Sequence, residues 1–265
     1  MHNRLARAFT LIELLVVIAI IALLLSIVTP AMRKAKEHAQ RVICGSNSRQ
    51  TAIGLITYAQ NNDGRLIEIT NDQGNPNNPL AWHSVIAYSP NNMIPSASTP
   101  RPMHLAALYD FGLIGDPGIF YCPSQPRTSD YPIPYYYDFY TDNGTRQWGS
   151  FFPQIPGMSG HLFVRTSYNY WTYDQTRLNR IGSHRPFLVD NLQHWKVIPH
   201  RRGNNLSQPP LGVTAVYPDG HAAFVTDSGD YVFDPDIWQP DAAFDNGPGN
   251  RLDAYLTILQ RLQGN

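Results

Sequence analysis

From Leu14 to Met32 the chain runs for 19 residues without a formal charge, dominated by Leu, Ile, Val and Ala. Wound as a helix, that span rises roughly 28 Å at about 1.5 Å per residue, close to one hydrocarbon core. Beyond Pro30 the pattern turns amphipathic, with Ala39, Val42, Ile43, Ala52, Ile53, Leu55, Ile56 and Ala59 recurring at threes and fours. Arg33, Lys34 and Lys36 mark the exit from the apolar zone, and Asn61-Asn62-Asp63-Gly64 is a helix stop, with Gly64 suited to a left-handed cap. The pattern therefore predicts one long helix from residue 9 to about 61, roughly 80 Å long. Pro30 and Gly45 are its weak points, and two helices broken at Pro30 are the alternative.

Residues 65–265 alternate short apolar runs with turns. Leu66–Thr70, Trp82–Tyr88, Ile119–Cys122, Phe163–Tyr173 and Phe187–Asp190 have the make-up of strands, and His104–Phe111 that of a short helix ending near Gly112. Val213–Tyr217 and Ala222–Thr226 flank Pro218-Asp219-Gly220-His221, a hairpin signal. Tyr131–Phe152 is aromatic and turn-rich, and reads as a surface excursion. In the tail, Leu252, Leu256, Leu259 and Leu262 share one face of a closing helix. The sum is α+β: a long N-terminal spine helix, transmembrane in its first half, packed on a loop-rich antiparallel sheet head.

Composition sharpens this picture in two places. Twenty basic and twenty acidic side chains cancel, and Arg201-Arg202 is too small a basic patch to grip nucleic acid, so no nucleic-acid partner is expected. Arg4 and Arg7 make the leader basic and no acidic residue precedes Glu13, which places Met1–Ala8 in the cytoplasm and exports the head. A plain signal anchor fits the length and the orientation but leaves Glu13 unexplained, since a carboxylate in an apolar span is costly and needs a partner.

At these residues the sequence resembles the type IV pilin and type II secretion pseudopilin superfamily. Ala8-Phe9-Thr10-Leu11-Ile12-Glu13-Leu14 looks like its prepilin cleavage and N-methylation motif, with Ala8 where Gly is usual. The resemblance implies that a membrane prepilin peptidase cuts between Ala8 and Phe9 and methylates the new amine of Phe9. It implies that Glu13 pairs with the N-terminal amine of a neighbouring subunit, and that Pro30 bends the helix. The domains become a cleaved leader (1–8), a transmembrane and assembly helix (9–32), its amphipathic continuation (33–64) and an exported α+β head (65–265). The implied function is that of a structural subunit of a type IV pilus-like or type II secretion filament. Its expected partners are prepilin peptidase, other pilin-like subunits through the spine helix, and the inner membrane.

Four further phrases are similar to a large pseudopilin-like subfamily with a C-terminal His, nine residues, then Asp-Gly. They are Cys44-Gly45-Ser46-Asn47 with Tyr58-Ala59, Phe120-Tyr121-Cys122-Pro123-Ser124, Ser167-Tyr168-Asn169-Tyr170 and Tyr217-Pro218-Asp219-Gly220-His221. The corresponding histidine is His200, set further from Asp219 by an insertion around Asn205–Gly212.

Candidate chemistry is sparse. Cys44 on the spine and Cys122 in the head both lie on the exported side, where an oxidising compartment favours a disulfide over two buried thiols. Such a bond stapling head to spine is worth about 4 kcal/mol in the loop-entropy model. With only two cysteines, a cysteine-based metal site is not expected. Asp227, Asp230, Asp234 and Asp236 collect carboxylates that suit Ca²⁺, without full EF-hand spacing, and a solvated acidic turn is the simpler explanation. His200, Asp219 and His221 invite a metal or acid/base reading, but Asp219-Gly220 already serves the turn. No cofactor and no catalysis is expected, as nucleophile elbow, phosphate loop and dinucleotide fingerprint are all missing from the sequence. The aromatic segment from Tyr135 to Tyr173 offers the alternative function: a membrane-anchored surface module recognising glycan or protein through aromatic loops.

Overall fold

The computed structural model describes residues 10–70, 81–89, 101–127, 133–153, 163–172, 176–201, 206, 209–226 and 252–262. Helix α1 spans Leu11–Gln60 without interruption, through both Pro30 and Gly45. Thr10 starts it and Asn61 to Gly64 end it. Gly64 sits at φ +75°, and its N–H donates to the Ala59 carbonyl at 2.8 Å, the left-handed cap that the Asn-Asn-Asp-Gly stop predicts.

Two units divide at Ala39. In the first, the large apolar side chains between Leu11 and Val28 are 45–78% exposed, so that part of α1 has no protein core of its own. Its few hydroxyls are satisfied within the helix: Ser26 Oγ donates to the Leu23 carbonyl and Thr29 Oγ1 to the Leu25 carbonyl, both at 2.7 Å. That internal satisfaction is what a helix in hydrocarbon requires.

The second unit, Gln40–Asn265, holds the core. Strands β1 (Ile86–Ser89), β2 (Arg101–Pro102) and β3 (Val164–Arg165) form a sheet in the order β2-β1-β3. Strands β4 (Tyr168–Tyr170), β5 (Leu188–Asp190), β6 (Gly212–Val216) and β7 (Ala222–Thr226) form a second in sequence order, and both sheets are antiparallel. Short helices α2 (Ala106–Asp110) and α3 (Tyr137–Tyr140) and the terminal α4 (Leu252–Arg261) complete the described elements. The α+β architecture is thus the expected one, a long N-terminal helix packed against antiparallel sheets.

Within this unit α1 buries Cys44, Ser48, Thr51, Ala52, Leu55 and Ala59. Gly54 marks the closest approach, since a Cβ there would sit 3.0 Å from Ile114 Cδ1 and 3.3 Å from Leu108 Cδ1. A glycine in mid-helix gives up close to 1 kcal/mol of propensity against alanine, and here it makes room for α2 and the loop after it. One turn further, Tyr58 stacks on Phe111 with ring centroids 5.7 Å apart.

Several local expectations need correction. Ile119–Cys122 is not a strand. Asp116 caps a short 3-10 turn over Pro117–Phe120 by accepting the Gly118 N–H at 2.8 Å, and the Asp-Pro pair that starts it is a helix-entry signature. Leu66–Thr70 is extended but joins neither sheet; its Leu66 N–H donates to the Thr176 carbonyl at 2.8 Å, and side chains take up the Ile67 carbonyl. Tyr170 Oη donates to the Ile67 carbonyl at 2.9 Å and Thr172 Oγ1 donates to it at 3.2 Å. Trp82–Tyr88 divides into a 3-10 turn over Ala81–Val85 and strand β1. Phe163–Tyr173 divides into β3 and β4, and Tyr173 lies outside the described residues.

The largest correction concerns Tyr131–Phe152, which is no surface excursion in its described part. Tyr135, Tyr140 and Trp148 are buried. Trp148 meets Tyr88 and Tyr109 edge-on at 5.1 and 5.6 Å, stacks on Phe120 at 5.5 Å, and donates its indole N–H to Tyr121 Oη at 2.7 Å. Dense aromatic sequence is what a loop-rich core uses to fill volume that regular elements leave open.

Candidate functional site

The first site is the start of α1. Thr10 Oγ1 accepts the Glu13 N–H at 3.2 Å, while Glu13 Oε2 accepts the Thr10 N–H at 2.9 Å and the Thr10 hydroxyl at 2.8 Å. This reciprocal arrangement is a capping box, which satisfies two of the orphan donors at a helix start. The Thr-x-x-Glu spacing carries that signal openly in the sequence, beside the charge that sets Glu13 apart. In this chain the Glu13 carboxylate has a local partner, one residue from the bond between Ala8 and Phe9. Ala8 and Phe9 themselves lie outside the described residues.

The second site is the seam between α1 and the head. Gln40, Cys44 and Asn47 lie on one face of the helix, and all three engage the segment Tyr121–Pro123. Gln40 Nε2 donates to the Pro123 carbonyl at 3.1 Å and Asn47 Nδ2 to the Tyr121 carbonyl at 3.2 Å. Between them Cys44 and Cys122 form a disulfide with Cα atoms 5.1 Å apart, inside the range such bonds need. Three of the four sequence phrases noted above meet here. Ser167 N–H donates to the Phe120 carbonyl at 3.0 Å, and Tyr168 Oη reaches the Cys44 carbonyl at 3.5 Å. A groove of about 250 Å³ opens beside the seam, lined in part by Ile43, Asn47, Cys122, Arg127, Tyr136 and Tyr137.

Behind the disulfide lie two ionisable side chains, both fully buried, one from the four-stranded sheet and one from the loop leading to β6. Asp190, at the end of β5, accepts the Thr214 N–H of β6 on Oδ2 at 2.5 Å. His200 places Nε2 3.3 Å from that same oxygen and 3.6 Å from Cys122 Sγ. Its ring meets Phe224 of β7 edge-on at 5.2 Å, and the Arg41 guanidinium lies 4.6 Å over the other ring of that pair, Phe224. His200 sits at φ +62°, a left-handed conformation that is uncommon for a side chain of this size.

His200 is therefore not grouped with Asp219 and His221. Those two belong to the exposed β6–β7 turn, where His221 donates its backbone N–H to Asp219 Oδ1 at 3.0 Å and pairs with it through Nδ1 at 2.6 Å. Both hydrogen bonds hold the Asp219 carboxyl below its ordinary pKa, the backbone one contributing most. Gly220, at φ +85°, supplies the positive φ the turn demands.

Two arginines are also accounted for by the interior. Arg201 is buried and directs its guanidinium at the Ile198, Leu206 and Trp195 carbonyls, with burial alone lowering its pKa to about 10. It remains cationic at neutral pH, and its hydrogen-bonding groups face the protein. Arg165 is buried as well, with Nη1 3.4 Å from the Phe163 carbonyl. Asp227, Asp230, Asp234 and Asp236 lie outside the described residues.

With the geometry in hand, the comparisons fall on the N-terminus. Residues 3–29 match the prokaryotic N-terminal methylation motif, so the chain has a type IV pilin-like N-terminus of the kind a prepilin peptidase processes. That match covers the basic leader, Glu13 and most of the apolar helix, which is the only span among the described residues long and apolar enough to cross a membrane. Neither a curated protein nor a solved structure matches the chain.

Proposed function

We propose that this protein is a pilin-like structural subunit, cut between Ala8 and Phe9, methylated at the Phe9 amine, and assembled through its apolar helix. The observation that carries the reading is the conjunction, in one element, of the methylation motif with an exposed apolar helix that opens on Glu13. In the membrane that helix waits in lipid, and in a filament it packs laterally on copies of itself, by van der Waals contact and by relief of its one costly carboxylate. Glu13 then exchanges its Thr10 partner for the ammonium of a neighbouring Phe9. Pro30, near the end of the lipid-exposed part, is where the helix can bend. The head stands on the exported side, where the disulfide is stable. Filament type, pilus-like or secretion pseudopilus, follows from the partners rather than from this chain alone.

The reading as a glycan- or protein-binding head draws less support, because Tyr135, Tyr140, Trp148, Tyr168, Tyr170 and Trp171 are spent on the core. Peptide mass spectrometry of membrane-extracted protein tests the assembly reading. A peptide beginning at methylated Phe9 is expected, and an intact Met1 terminus from cells with active peptidase refutes it. As a second arm, Glu13→Ala should insert and be cleaved yet fail to enter filaments. Normal filaments from that variant would sink the pairing of Glu13 with the amine.

A further inference from the structure

We propose that Cys44, Cys122, Asp190 and His200 form a four-ligand Zn²⁺ site whenever the two cysteines are in the dithiol state. Two cysteines alone do not make such a site, and the sequence separates the four residues by up to 156 positions. The fold brings one ligand atom of each to within 4.8 Å of all the others. All four are buried, and they come from four different places: the spine helix, the loop after the 3-10 turn, the end of β5 and the loop leading to β6.

The distances suit the metal. Tetrahedral Zn²⁺, with Zn–N and Zn–O near 2.1 Å and Zn–S near 2.3 Å, separates N from O by about 3.4 Å and N from S by about 3.6 Å. Here His200 Nε2 lies 3.3 Å from Asp190 Oδ2 and 3.6 Å from Cys122 Sγ. Two edges of the tetrahedron are thus already in place. The second thiolate comes from Cys44, which faces Cys122 across the seam.

The surrounding groups also point to a ligand. Asp190 Oδ1 and His200 Nδ1, which are not the atoms offered to the metal, are buried without a hydrogen-bond partner among the described residues, so the fold around the pair does not saturate it. Asp190 Oδ2 is oriented by the Thr214 N–H, the outer support that metal-binding carboxylates typically have. His200 is held in its left-handed backbone conformation with Nε2 turned toward the cysteines. A thiolate, thiolate, imidazole and carboxylate set is a Zn²⁺ donor set rather than one for Ca²⁺ or Mg²⁺, which prefer oxygen.

The chemistry balances in both directions. From the dithiol, Zn²⁺ binds two thiolates as two protons leave to solvent. From the disulfide, a dithiol reductant breaks the Cys44–Cys122 bond by exchange and becomes a disulfide itself, and the two cysteine thiols then release their protons to solvent as Zn²⁺ takes the thiolates. Cys122 borders the groove beside the seam, which is where a reductant reaches it. Oxidised, the same two sulfurs are bonded to each other and the site is closed to metal.

The test uses the full-length chain in detergent, reduced anaerobically with a phosphine and titrated with Co²⁺ alone and then Zn²⁺ alone. One equivalent of Co²⁺ should give the visible bands of a tetrahedral site together with thiolate charge transfer, and Zn²⁺ should displace it. The oxidised chain should give neither. Asp190→Asn and His200→Asn, checked for fold by circular dichroism, should each weaken Co²⁺ binding by more than about 100-fold, beyond the usual loss from an outer-shell change. Should reduction unfold the head, Zn²⁺ should restore its circular dichroism, and failure to do so overturns the proposal. Equal Co²⁺ spectra in oxidised and reduced chains, no uptake by a folded dithiol chain, or full affinity in both Asn variants overturns it equally.

Discussion

Acidification should destabilise the head chiefly through His104. This residue is fully enclosed between α2 and the segment ending at Thr70, with Nδ1 3.0 Å from the Ile86 carbonyl and Nε2 3.0 Å from the Thr70 N–H. Because Nδ1 faces the Ile86 carbonyl, the neutral ring carries its proton there, and Nε2, which also lies 3.1 Å from the Thr70 carbonyl, accepts from the Thr70 N–H. Burial lowers the pKa to about 4, outweighing the backbone carbonyls that favour the charged ring. Because the folded value lies below the unfolded value of about 6.5, the unfolded chain binds the extra proton first as pH falls. Stability is therefore full above about pH 6.5 and is lost progressively down to about pH 4. Linkage gives a loss of about 2 kcal/mol between pH 7 and pH 5, and about 3 kcal/mol by pH 4. The comparison to make is urea unfolding of the full-length chain in detergent, wild type against His104→Asn, at several pH values. Asparagine tolerates the φ of +46° at this position. The variant will be weaker throughout, but its stability should fall less steeply between pH 7 and pH 5, by about the same 2 kcal/mol. Parallel slopes for the two proteins, or a His104 pKa above 6 by NMR, would refute the reasoning.

Other perturbations probe the core and the seam. Trp148→Phe should cost about 2 kcal/mol in the same unfolding assay, because it strips the buried Tyr121 hydroxyl of its indole donor while keeping most of the ring contacts. No measurable loss would return this segment to the surface. Gly149→Ala should cost more than about 2 kcal/mol, since its φ is +82° and a Cβ there would lie 2.6 Å from the ring of buried Tyr88. A variant as stable as wild type would show that the backbone relaxes freely at this point. Cys44→Ser with Cys122→Ser should lower stability by about 4–5 kcal/mol in the loop-entropy model for a sequence separation of 78. Proteolysis should then first cut near the seam, and unchanged resistance would place the head's grip on α1 in Gln40, Asn47 and the apolar face instead.

What the sequence revealed depended on whether the signal was local. The 3.6-residue pattern and the Asn-Asn-Asp-Gly stop located α1 to within two residues of its ends, and Pro-Asp-Gly-His located the β6–β7 hairpin. Both depend on contacts a few residues apart. Short apolar runs such as Ile119–Cys122 carry no period long enough to separate strand from turn, and there the Asp116 cap decided the outcome. The aromatic segment reads as surface although it is core, because composition does not say which side of a loop faces inward. Glu13 was visible as a charge out of place, but its capping role needed Thr10 to be read with it. His200 and Asp190 carry no spacing signal at all. They meet only because β5 pairs with β6 and the loop before β6 folds back, so that Leu211 N–H reaches the His200 carbonyl at 2.9 Å.

The bond between Cys44 and Cys122 also sets how the chain carries load. A subunit pulled between its N-terminal helix and its C-terminus transmits the force covalently from α1 into the head at Cys44, and out again at Cys122. Everything in between, with a sequence separation of 78, lies in a closed ring that cannot be drawn out, however far the rest of the head is unravelled. That ring withholds roughly 260–280 Å of contour at the full reach of an extended chain. Breaking it would convert a short, stiff tether into one able to lengthen under tension, without altering any residue of the helix that holds the chain in place.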